Sequence, residues 1–99
     1  GQITGVEGYA GNIATGLLAG CNAARLWAGK PPLALPPETM LGALCQYITH
    51  ASAQDFQPMK ANYGIMPELE DSGVRGRRPR AAAFSQRALA VLDEFLKSI

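Results

Sequence analysis

Strong net charge, paired cysteines, aromatic residues and long apolar runs are all scarce in this 99-residue sequence. Nine Lys and Arg against eight Asp and Glu leave a net charge of +1, so any attraction for nucleic acid must come from a local patch. The two cysteines, Cys21 and Cys45, form no C-x-x-C pair. That excludes a disulfide framework, supplies no metal-ligand set, and favours a reducing cytoplasmic compartment. No apolar stretch reaches the ~18 residues that a bilayer span needs, and no basic stretch precedes an apolar one as in a signal peptide. The expectation is a soluble chain without a membrane partner. One Trp, three Tyr and three Phe are few, but an apolar fraction of 47% and a charged fraction of 17% are those of an ordinary globular chain. A chain of this size buries about 60–68% of its unfolded surface. It has no room for a cofactor domain and a substrate domain together, so complex chemistry would be shared with other polypeptide.

What is present is a mainly α pattern of three helices, a proline-rich connector and an extended loop. Thr4-Gly-Val-Glu7 has capping-box spacing, and Ala10, Ile13, Ala14, Leu17, Cys21, Ala24 and Ala28 follow at helical period. This predicts a first helix of about 20 residues with that stripe buried. Gly16-x-x-x-Gly20 reads as close packing of the helix on a sheet, since each interior Gly costs roughly 1 kcal/mol relative to Ala. Gly29 stops the helix. Residues 30–37, rich in proline, run extended. Pro36-Pro37-Glu38 opens a second helix with Met40, Leu41, Leu44, Tyr47, Ile48 and Ala51 on one stripe. Residues 56–67 read as a loop with a short edge strand around Ala61 to Ile65. Residues 68–78 read as charged, exposed loop. A third helix begins near Pro79 and buries Phe84, Ala88, Val91, Leu92, Phe95 and Ile99. The expected organisation is 1–29 as the last helical segment of a larger domain, 30–37 as connector, and 38–99 as helical extension.

Three groups of residues could carry chemistry. The glycine-rich turn before the first helix aims backbone N–H groups and the positive end of a dipole at whatever lies in front of it, which suits an anionic group or serves as an ordinary cap. Arg75, Arg77, Arg78 and Arg80 place four of the nine basic residues within six positions, and Arg87 continues the same sign. They form either a solvated loop or a contact for RNA phosphate. His50 is the only imidazole, near a helix C-terminus; it reads as structural or as a substrate contact. Tyr47, Phe56 and Tyr63 read as core or as stacking groups. Cys21 and Cys45 read as small buried hydrophobes rather than nucleophiles.

Gly1-Gln2-Ile3-Thr4-Gly5-Val6-Glu7-Gly8-Tyr9, Gly16-Leu17-Leu18-Ala19-Gly20 and Asn22-Ala23-Ala24-Arg25 resemble the last FAD-binding segment of the folate-dependent tRNA uridine-5-methyltransferases. Tyr47-Ile48-Thr49-His50-Ala51, Phe56-Gln57-Pro58-Met59 and Asn62-Tyr63-Gly64 are similar to the same family's C-terminal region. The resemblance implies a C-terminal fragment of an α/β, Rossmann-like flavoprotein. Its parent uses FAD, NAD(P)H and methylenetetrahydrofolate to form 5-methyluridine in the tRNA T-loop. It implies that Gly1, Gln2, Ile3, Thr4, Gly5, Val6 and Gly8 lie against the flavin and that a dipole there stabilises the anionic reduced ring. It makes Arg75, Arg77, Arg78 and Arg80 candidates for tRNA contact, and His50 and Phe56 candidates for the folate pocket. It places the catalytic thiols in upstream sequence and none in this fragment, which is expected to be inactive and, with its first helix uncovered, to self-associate or to leave its N-terminal part poorly ordered. Two rival readings stand beside it: a cofactor-free helical RNA-binding module, and a fragment of a carboxymethylaminomethyl-uridine tRNA flavoenzyme.

Overall fold

The computed structural model describes residues 1–70 and 73–99. Three helices carry the fold: α1 (Tyr9–Trp27), α2 (Met40–His50) and α3 (Arg77–Ser98). Short 3-10 turns at Gln2–Thr4 and Tyr63–Ile65 complete the elements, and the described residues contain no strand beyond an isolated parallel bridge between Val6 and Met59. No helix among them is long and apolar enough to cross a membrane.

The ends of α1 follow from glycine. Gly8 at its N-cap has φ +87°, and Gly29 beyond its C-cap has φ +77°. At the C-terminus the N–H of Gly29 donates to the Leu26 carbonyl (3.1 Å) and that of Lys30 to the Arg25 carbonyl (2.8 Å). This paired closure needs a left-handed residue between, and glycine takes it without strain. The Thr4–Glu7 capping box does not form: Thr4 Oγ1 donates instead to the Gly1 carbonyl (2.6 Å), and no side chain caps α1.

The buried side of α1 is the reverse of the predicted one. Gly11 and Thr15 are buried and Asn22 and Arg25 half-buried, whereas Ile13 (73% exposed), Leu17 (69%) and Cys21 face outward. The physical reason is the connector. Residues 30–37 have no ladder or helix to satisfy their backbone, so side chains must do it. Asn22 accepts the Leu33 N–H (2.6 Å) and donates to the Leu33 carbonyl (3.0 Å), and Arg25 Nε donates to the Pro31 carbonyl (2.8 Å). Gly16 and Gly20 have nothing within reach of a side chain, so no sheet packs on them here.

Thr39, not the Pro36-Pro37 pair, starts α2. Its Oγ1 accepts the Gly42 N–H (3.0 Å) and donates to the Pro36 carbonyl (2.7 Å), joining connector and helix in one cap. The predicted α2 stripe is buried or half-buried throughout. Ala43 packs with Met66 and Phe84 in a small core ringed by Met40, Ile65, Leu69 and Ala88. A second contact joins Val6 and Leu44, both fully buried, across Gly11, where an added Cβ would lie 3.1 Å from Val6 and 3.5 Å from Leu44.

Three further expectations shift. The edge strand placed at Ala61 to Ile65 is a 3-10 turn, and the one extended pairing falls at Met59. Helix α3 starts at Arg77 rather than Pro79, because Gly76 at φ +93° opens it and a proline in the first turn loses no helical hydrogen bond. Ile99 is exposed, since the helix runs beyond its last packing partner. Of the predicted exposed loop 68–78, Asp71 and Ser72 lie outside the described residues, Leu69 and Val74 are half-buried, and Arg77 and Arg78 are helical.

Candidate functional site

The N-terminal turn is built from the backbone outward. The Gly1 carbonyl accepts from the N–H groups of Thr4 (3.0 Å) and Val6 (3.3 Å), and the Gly5 N–H donates to the Gln2 carbonyl (3.0 Å). Gly5 has φ +106°, and a Cβ there would lie 2.3 Å from Cζ of Phe56. The Phe56 ring therefore occupies the space that any other residue at position 5 would claim. Beyond it the Met59 N–H donates to the Gly5 carbonyl (2.8 Å) and the Glu7 N–H to the Met59 carbonyl (2.9 Å). Asn12 Nδ2 donates to the carbonyls of Val6 (3.1 Å) and Gly8 (2.8 Å), tying the turn to the helix it precedes.

This division sorts the predicted cofactor residues. Gly5 and Val6 are buried, and their backbone groups are hydrogen-bonded within the turn and to the segment beside it. Gln2, Ile3, Thr4 and Gly8 are exposed, and the N–H groups of Gln2 and Ile3 have no acceptor among the described residues. Beside them opens a cleft of about 560 Å³ lined by Gln2, Glu7, Gly8, Tyr9, Asn12 and Lys60. No acidic residue occupies the first turn of α1, and no side chain caps it, so its N–H groups and dipole remain available there. Sequence reasoning missed Asn12 and Lys60. Asn12 carried a signal, a polar residue four positions after Gly8 on an otherwise small-residue helix; Lys60 carried none, being brought in by the Val6–Met59 bridge.

The two folate-pocket candidates lie apart. Phe56 packs on Gly5 and stacks on Tyr47, with ring centroids 5.9 Å apart. The Tyr47 hydroxyl donates to the Gln57 carbonyl (3.1 Å), fixing that pair beneath the turn. His50, exposed at the end of α2, lies in a different recess with Leu33, Leu35 and Cys45, its Nδ1 2.7 Å from Thr49 Oγ1. Of the thiols, Cys21 is exposed, contrary to expectation, and Cys45 is half-buried, with burial pushing its thiol pKa up.

The basic segment divides as well. Arg77, Arg78 and Arg80 occupy the first turn of α3 and Arg75 precedes it; all four are exposed, and no carboxylate among the described residues pairs with them. Cations at a helix N-terminus oppose the dipole by about 0.3–1 kcal/mol each at the surface, so this cluster works against its own helix unless an anion lies over it. Arg87 is no part of that surface. It reaches back to the Pro67 and Glu68 carbonyls and lies over the Phe84 ring, 5.3 Å from its centroid.

Comparison with known proteins adds an independent finding. The family described as Glucose inhibited division protein A matches residues 1–31. Beyond that segment the similarity continues along the chain. Methylenetetrahydrofolate–tRNA-(uracil-5-)-methyltransferase TrmFO of Lactiplantibacillus plantarum is 55% identical over 96% of this chain and 21% of its own length. Proteins of the same name from Heliobacterium modesticaldum (55% identical, 97% of this chain, 22% of the relative) and Enterococcus faecalis (50%, 100% and 22%) agree. The chain thus spans about a fifth of the length of the relatives it matches.

Proposed function

We propose, from the premise that this chain is a segment of the TrmFO family of tRNA uracil-5-methyltransferases, that it supplies one wall of a flavin site and a basic surface for tRNA. The whole protein is an enzyme that forms 5-methyluridine in the tRNA T-loop, with methylenetetrahydrofolate as carbon donor and NAD(P)H as reductant. The nucleotide-binding α/β fold that completes the FAD site belongs to the remaining polypeptide.

The residues present fit the pyrimidine edge of a flavin, a polar, electron-rich rim that accepts hydrogen bonds. One observation carries the reading: the inner backbone of the turn is committed to its own structure, while Gln2, whose N–H has no acceptor among the described residues, and the uncapped start of α1 line one polar cleft. FAD bound there supplies electron transfer between the reduced nicotinamide and the folate-borne carbon. The chain's own part is to orient and hold. Gln2 and Ile3 donate from the main chain, the α1 dipole favours negative charge in front of Gly8, and Asn12 keeps turn and helix in register. Phe56 holds Gly5 in place from behind. The complete protein should purify yellow with bound FAD; colourless protein that refuses added FAD would contradict the reading.

The outward face of α1, with Ile13, Leu17 and Cys21, is then proposed to pack against polypeptide outside this chain, which spans about a fifth of its relatives' length. In the intact protein Cys21 is expected to alkylate at least tenfold more slowly than in urea, as about 1.4 kcal/mol of local protection requires. Alkylation at the unfolded rate would show the face to be open.

Arg75, Arg77, Arg78 and Arg80 are proposed to contact tRNA phosphates. Four neutralised phosphates give a salt slope near −3 and cost roughly 50–150-fold in affinity between 50 and 200 mM salt. Replacing all four with Ser in the complete protein should flatten that slope and leave FAD content unchanged, as read by binding titrations at several salt concentrations. A variant with the original slope would remove these residues from the interface.

A further inference from the structure

We infer that the recess at the start of α3 is a stacking site for a single unpaired RNA base, with Tyr63 as its platform. This rests on the tRNA reading above and goes beyond it in naming the platform and the state of the nucleotide bound.

The recess has a volume of about 260 Å³ and is lined by Tyr63, Gly64, Arg77, Arg80, Ala81 and Phe84. That lies below the roughly 300 Å³ at which pockets for drug-sized ligands begin, and suits one planar ring system. Its aromatic wall is braced. Tyr63 stacks on Phe84 with centroids 5.0 Å apart and planes inclined by 14°. Phe84 is buried, whereas Tyr63 is 45% exposed. The pair is steadied by Arg87, whose guanidinium lies 5.3 Å from the Phe84 centroid while donating to the Pro67 and Glu68 carbonyls. The Tyr63 hydroxyl has no hydrogen-bond partner among the described residues, so a need to satisfy that group does not explain the ring's position. An aromatic ring already held in place loses little freedom when another ring stacks on it.

The charged wall is the complement. Arg77 and Arg80 line the same recess without a carboxylate partner among the described residues, and the Arg80 guanidinium lies 5.8 Å from the Phe84 centroid. An aromatic platform beside unpaired guanidinium groups is the combination that binds single-stranded RNA: the π-face takes a base of any identity, and the cations take the adjoining phosphates. A base stacked within a duplex cannot offer its face to Tyr63, whereas a base turned out of a tRNA loop can. The arginines at the α3 N-terminus gain from the same event, because phosphate relieves the opposition between their charge and the helix dipole.

The test uses the complete protein and an unmodified tRNA transcript. Tyr63→Leu keeps an apolar side chain on Phe84 but removes the π-face; affinity should fall roughly 5- to 100-fold with the salt slope unchanged, while Tyr63→Phe stays within about twofold of the original. If Tyr63→Leu binds tRNA as the original does, the stacking site is overturned. The phosphate reading is judged separately, by the slope of the four-Arg variant. A second measurement does not depend on the Leu variant folding. In a background where Trp27 and every other tryptophan of the complete protein are replaced by Phe, the emission of Tyr63→Trp should be quenched by oligouridylate and not by a blunt RNA duplex of equal length. Emission unchanged by oligouridylate, as when other parts of the polypeptide cover the recess, overturns the proposal.

Discussion

Gly5→Ala in the complete protein is expected to lower FAD affinity about 30-fold or more, enough for the protein to purify largely colourless. Two costs add at this position. A residue with a Cβ pays about 1–2 kcal/mol for a left-handed conformation, and Gly5 sits at φ +106°. The same Cβ would lie 2.3 Å from the Phe56 ring, and overpacking of that kind costs about 1–3 kcal/mol. The conformational cost cannot be relieved while the Gly5 carbonyl stays paired with the Met59 N–H, and the steric cost is relieved only if the Phe56 ring swings off its stack on Tyr47. The turn must open, and with it the main-chain surface beside the cleft. Phe56→Ala separates the two contributions: in that background Gly5→Ala retains only the conformational cost, so the cycle should show a coupling of about 1–3 kcal/mol. Full retention of FAD by Gly5→Ala would mean that the turn does not hold the flavin.

Gly42→Ala is the second large effect, and its direction is opposite to what helix propensity suggests. Gly42 lies in the first turn of α2, where alanine should gain up to about 1 kcal/mol over glycine. Here the new Cβ would lie 2.0 Å from the Pro36 carbonyl oxygen and 2.7 Å from Thr39 Oγ1. The first is backbone and cannot rotate away, and the second is the atom that caps the helix. Loss of the cap costs about 1 kcal/mol and cancels the propensity gain. The overlap itself then decides the outcome, at about 3 kcal/mol of net destabilisation. Chemical denaturation of the complete protein, read by the circular dichroism midpoint, should show the loss; a midpoint at or above the original would mean that the connector does not approach α2 this closely.

Local signals made much of this architecture readable in advance. Gly29 followed by the proline run marks the end of α1 and the start of the connector because both devices act within a few residues. The α2 stripe is buried or half-buried and Phe84 on α3 is buried, as their spacing indicates. Helix α1 misleads for a physical reason: its apolar stripe has no partner among the described residues, while the side turned inward is polar because it must satisfy the connector's backbone. Asn22 and Arg25 look like interruptions until the Leu33 and Pro31 carbonyls are seen beside them. The site was legible as a turn but not in its depth. Gly5 and Val6 are buried, and the segment that fixes them, Phe56 to Met59, lies some fifty residues away along the chain, beyond the reach of any local pattern. Thr39 could have been found, since a threonine between a proline pair and an apolar helix is an ordinary N-cap signal.

The most direct test of the flavin wall is amide hydrogen exchange on the complete protein with and without FAD. The account predicts that the peptide covering residues 1–10 slows markedly when flavin is bound, while the peptide covering α3 exchanges at the same rate in both states. Equal exchange of residues 1–10 with and without the cofactor would contradict it.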